Sequence, residues 1–78
     1  MRQKKPTLVI TFATTTQAMA MEKFCMANGL PGRLIPVPRE ITAGCGMAWS
    51  APPEAKGELE AFVQANNITT AGWYELIL

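Results

Sequence analysis

Two stretches with helical spacing, set among four stretches of β-prone residues, leave this 78-residue chain few ways to fold. Thr7-Leu8-Val9-Ile10-Thr11-Phe12 is β-branched and aromatic and reads as a first strand. Thr14, Thr15 and Thr16 follow, one of them placed to cap a helix that runs to about Asn28. Within it Ala18, Met21 and Cys25 recur at helical spacing with Phe24 beside them, giving one stripe to bury. Asn28-Gly29 stops that helix, and Pro31 prevents its continuation.

Arg33-Leu34-Ile35-Pro36-Val37 reads as a second strand, whose proline is tolerable only at an edge or a strand end. Met47-Ala48-Trp49-Ser50-Ala51 is a short third strand. Pro52-Pro53-Glu54 then opens a second helix, with proline in the first turn and an acid at the positive end of the helix dipole. Ala55, Leu59, Phe62, Val63 and Asn66 mark its inner face, and Asn66-Asn67 closes it. Gly72 to Leu78 forms the last strand.

The order βαββαβ is the α+β, ferredoxin-like split-βαβ pattern: a four-stranded antiparallel sheet with two helices on one face, in one domain spanning residues 1–78. With right-handed crossovers the expected strand order is 4-1-3-2, which puts the proline-bearing second strand at an edge. Strands 1 and 2 then run the same way. The loop after strand 2 should therefore lie near the start of the first helix, and the start of strand 4 should fall at the same end.

That loop is the chemically distinctive segment. Pro36-Val37-Pro38-Arg39-Glu40-Ile41-Thr42-Ala43-Gly44-Cys45-Gly46 sets a cysteine between two glycines, with an arginine six residues earlier. Glycines there open backbone conformations closed to other residues and bring N–H groups close to the sulfur. The start of the first helix should add unpaired N–H groups and a positive dipole end, both of which favour a thiolate. Cys45 is thus the candidate nucleophile. Arg39, Thr42, Gly44, Gly46, Met47, Thr14, Thr15 and Thr16 are the candidate anion-stabilising and lining residues, with the N–H groups of Gly44, Gly46 and Met47 as a cradle.

Plainer readings stand beside these. Gly-Cys-Gly can be a turn into a strand with the thiol as a small hydrophobe. Arg39 can be a solvated loop residue paired with Glu40 or Glu22. The three threonines are first of all a helix cap, and Trp49, Trp73 and Tyr74 are first of all sheet packing. Cys25, on the apolar stripe, belongs to the core.

Composition narrows the field. A net charge of +1 with 49% hydrophobic residues describes a globular domain and supplies no basic stripe for nucleic acid. Arg2, Lys4 and Lys5 read as a solvated arm. No segment is apolar for long enough to span a bilayer or serve as a signal peptide, so the expectation is a cytoplasmic protein with no membrane partner. Two cysteines and no histidine argue against a disulfide scaffold and a zinc site, and no cofactor or metal is expected. Imidazole cannot activate Cys45.

These residues resemble the Se/S carrier protein-like family of small bacterial domains, also known as DUF3343. The strongest resemblance runs from Arg33 to Ala48 through Pro36-Val37-Pro38-Arg39-Glu40-Ile41-Thr42-Ala43-Gly44-Cys45-Gly46. Weaker matches are Phe12-Ala13-Thr14-Thr15, Ala18, Glu22 and Gly29. The resemblance implies a sulfur or selenium carrier that holds a persulfide or perselenide on Cys45, with Gly46 and Arg39 matching the family's loop glycine and arginine. The partners it implies are a donor, such as a cysteine desulfurase or selenium-delivery protein, and an acceptor protein. Such a protein acts as a stoichiometric carrier or a sulfurtransferase-like component. The alternative is a non-covalent module that binds a small anion or a protein, in which the thiol is incidental. A Cys45 oxidation sensor shares the carrier's chemistry, and a homodimer through a strand edge is left open.

Overall fold

In a computed structural model, which describes residues 5–41 and 45–77, the central strand β1 (Pro6–Thr11) is flanked by β3 (Met47–Ala51) and β4 (Gly72–Ile77). The edge strand β2 (Arg33–Pro36) pairs with β3, and the order is β2-β3-β1-β4 with every pairing antiparallel. This is the ferredoxin-like α+β arrangement and the strand order expected from the sequence. Helix α1 (Thr15–Asn28) connects β1 to β2, and a 3-10 turn (Pro53–Ala55) leads into α2 (Lys56–Ala65).

Alternation along the strands sorts the residues onto two faces. Leu8, Ile10 and Phe12 of the β1 segment join Trp49 and Ala51 of β3 in the main core. Ala18, Met21 and Cys25 of α1 close that core together with Ala55, Leu59 and Val63. Each fully covered large apolar side chain there contributes roughly 1.5–3 kcal/mol relative to exposure. Phe24 departs from the expected stripe: one residue before Cys25, it lies on the helix flank and is 38% exposed.

Gly29 ends α1 in the left-handed conformation, at φ 68°, and its N–H and that of Leu30 both donate to the Cys25 carbonyl. Gly32 is the more constrained glycine. Its φ is +120°, and a Cβ there would fall on the Trp49 indole nitrogen and the Ser50 carbonyl. The close approach lets Trp49 Nε1 donate to the Pro31 carbonyl at 3.2 Å, which ties the α1–β2 turn to β3.

Two strands differ from the sequence expectation. β1 begins and ends one residue earlier and β2 stops at Pro36, while the expected end of β4 at Leu78 lies outside the described residues. The Pro52-Pro53-Glu54 start forms a 3-10 turn, with Ala55 N–H donating to Pro52 O at 3.0 Å, before the α-helix proper. Asn66 is exposed at the C-cap of α2, where its side-chain amide donates to the Phe62 carbonyl at 3.0 Å.

The other sheet face carries no helix, yet it holds a second apolar cluster. Val9 and Ala48 are fully buried there beneath Ile41, with Ile35, Val37 and Leu76 around them. Ile41 comes from the β2–β3 loop, which therefore folds back across the sheet.

Candidate functional site

The loop after β2 is fastened at both ends. Val37 N–H donates to Gly46 O at 3.0 Å, prolonging the β2–β3 pairing past Pro36, and Cys45 N–H donates to Phe12 O at 3.0 Å. The second bond fixes Cys45 at the end of the sheet where β1 gives way to α1. Ala71 N–H donates to Thr11 O at 2.7 Å, so the start of β4 meets the same end.

Cys45 is half-buried, packed with Met47 against the main core, and its Sγ lies 3.9 Å from the Met47 carbonyl, which accepts from the thiol. Met47 thus lines the cysteine through its carbonyl. Gly46 has φ +92° and open space where a Cβ would stand, so the bare backbone next to the sulfur faces solvent. Thr42 and Gly44 lie outside the described residues.

Thr14 is the cap of α1. Its Oγ1 accepts from Gln17 N–H at 3.2 Å while Gln17 Oε1 accepts from Ala13 N–H at 3.0 Å. This is a reciprocal cap close to the Ser/Thr-x-x-Glu/Gln capping box, and the sequence signal is Thr14-Thr15-Thr16-Gln17. Gln17 is a residue that reading the threonines alone misses. The Thr14 carbonyl takes the first helical bond from Ala18, at 3.2 Å. Among the described residues this leaves the Thr15 and Thr16 N–H groups without an intramolecular partner.

Arg39 sits at the tip of a tight turn, Pro38 to Ile41, closed by Ile41 N–H donating to Pro38 O at 3.0 Å. Arg39 and Glu40 are exposed, whereas Ile41 is buried. Cys25 is separate from all of this. It is fully buried in the main core, and burial pushes its thiol up to about 11, away from any nucleophilic role near neutral pH. Both cysteines are free.

Among the described residues no three histidine, cysteine or acidic side chains gather in a metal-binding group, and no helix is long and apolar enough to cross a membrane. An open groove of about 720 Å³, lined by residues including Lys5, Thr7, Arg33, Ser50 and Glu54, lies at the opposite end of the sheet from Cys45.

A βαββαβ sheet with its one partly exposed thiol fixed beside the first helix defines a small ferredoxin-like domain centred on a loop cysteine. Over residues 7–75 the chain matches the family described as "Putative Se/S carrier protein-like", and it belongs to that family. No curated protein and no solved structure matches it.

Proposed function

We propose that the protein is a sulfur or selenium carrier that holds its cargo as a persulfide or perselenide on Cys45. The observation that carries this reading is the Cys45–Phe12 hydrogen bond, which fixes a partly exposed thiol at the α1 end of the sheet in a chain of the carrier-like family. Cys25 is buried, which leaves Cys45 as the accessible loading site.

In loading, the Cys45 thiol gives its proton to solvent and the thiolate attacks the terminal sulfur of a donor persulfide. A bond from Cys45 Sγ to that sulfur forms, the donor's S–S bond breaks, and the donor leaves as a thiolate. No net oxidation occurs. Unloading repeats the displacement, with an acceptor thiolate as nucleophile and Cys45 as leaving group. Selenium follows the same path.

The N–H groups of Thr15 and Thr16, unpartnered among the described residues, the positive end of α1 and the Arg39 charge are the groups we assign to stabilise the new anionic terminus. A cysteine desulfurase or a selenium-delivery protein is the class of donor this chemistry requires.

The test is intact mass after incubation with a desulfurase and cysteine, and separately selenocysteine. A reductant-reversible gain of one sulfur or selenium atom, absent from Cys45→Ala, is expected. An unchanged mass with a thiol still open to alkylation overturns the reading.

A further inference from the structure

We propose that Ile41 is a positioning residue for loading at Cys45, a role that rests on the carrier reading above: its side chain is the pin that holds the Pro38–Ile41 turn against the sheet.

The helix-free face of the sheet should leave its apolar residues open to water. Instead Val9 and Ala48 on that face are fully buried, and the loop residue buried with them is Ile41 at 7% exposure, with Ile35, Val37 and Leu76 packed at the margin. Its two predecessors, Arg39 and Glu40, are exposed. Within the Pro38–Ile41 turn, Ile41 is therefore the apolar side chain that enters the protein, and the charged pair before it does not.

The hydrogen bonds sharpen the point. Val37–Gly46 closes the base of the loop and Cys45–Phe12 holds its far limb. Between these bonds the Pro38–Ile41 turn is closed by Ile41 N–H donating to Pro38 O. Among the described residues of that turn Ile41 is the buried one, and it anchors the far end of the turn to the sheet as Val37 anchors the near end. Ile41 touches no reacting atom. Its effect is to hold Arg39 and the approach to Cys45 in one arrangement that a donor protein can dock against.

The test uses the full chain with Ile41→Ala and Ile41→Val, each first shown to be folded by near-ultraviolet circular dichroism. The rate of loading from a desulfurase persulfide is compared with the rate of Cys45 alkylation by iodoacetamide. In Ile41→Ala, loading is expected to fall about tenfold or more while alkylation changes less than about threefold, and Ile41→Val recovers most of the loss. Unchanged loading in folded Ile41→Ala overturns the proposal, as does a parallel fall in both rates.

Limited trypsinolysis separates this failure from failure of the carrier reading. Cleavage after Arg39 is expected to accelerate about tenfold in Ile41→Ala, with cleavage after Lys56 little changed. If wild type does not load but Arg39 becomes cleavable, the carrier reading fails and the pin stands. If Arg39 stays protected, the pin itself is wrong.

Discussion

The amide of Cys45 and the carbonyl of Phe12 are joined by a 3.0 Å hydrogen bond across 33 residues of sequence, and that bond sets where the thiol can act. Phe12 is wholly buried, so its carbonyl is a fixed point, and Thr14 starts the helix two residues later. Cys45 is therefore held by the main chain, and its position does not depend on its own side chain. Cys45→Ser should keep the native near-ultraviolet spectrum and a melting temperature within a few degrees of wild type while losing all reductant-reversible loading.

Arg39 is exposed at the tip of its turn, so replacing it disturbs no packing. Arg39→Glu should leave the melting temperature unchanged and slow loading by about tenfold at low salt, with the difference shrinking as ionic strength rises. Loading rates measured across a salt series give the answer. Equal rates for the two proteins at every salt concentration would remove Arg39 from the site.

Thr14 holds the first turn of α1 through Gln17. Thr14→Ala should destabilise the fold by about 1 kcal/mol, a drop of about 4–8 °C in melting temperature for a domain of this size. Thr14→Asp restores the cap and should recover the loss. Thermal denaturation of the three proteins checks this, and the threonine is not the working cap if Thr14→Ala melts with wild type.

Gly32 allows no side chain, because its φ is +120° and a Cβ would meet Trp49 and the Ser50 carbonyl. Gly32→Ala should cost more than about 3 kcal/mol, combining backbone strain with loss of the close approach to Trp49. Gly46→Ala meets open space and is strained only by its φ of +92°, so its cost should be smaller. Urea denaturation followed by tryptophan fluorescence ranks the two.

Cys25 predicts a pH dependence. Its thiol is raised from 9.0 to about 11 by burial, so the folded state keeps a proton that the unfolded state releases first. The contribution is fully present below about pH 9 and is lost as pH rises from there through about 11. The shift corresponds to roughly 2–3 kcal/mol. Subtracting the stability profile of Cys25→Val, which has no thiol to ionise, isolates that fall; parallel profiles between pH 8 and 11 contradict it.

How much of this was legible in the chain differs by element. Strand order, the edge position of Pro36 and the meeting of the cysteine loop with the start of α1 follow from βαββαβ order and handedness, and the Thr11, Phe12 and Cys45 contacts agree with them. Phe24 misled because apolar character sets which residues can be buried, while the angular width of the contact decides which are. Gln17 was readable in Thr-x-x-Gln but escaped a reading centred on the threonines. Ile41 was harder to foresee, since one apolar residue in a polar, proline-stiffened loop has no periodicity. Only the fold shows that the helix-free sheet face lies beneath it.

The depth at which Cys25 is buried has a final consequence for timing. A persulfide beside an accessible second thiol can collapse to an internal disulfide and expel its cargo as sulfide. Here the chain's other thiol, Cys25, is walled in by the main core and holds its proton far above neutral pH. On the carrier reading, a loaded Cys45 would have no internal discharge route through Cys25, and the moment of release would belong to whichever outside nucleophile reaches that end of the sheet.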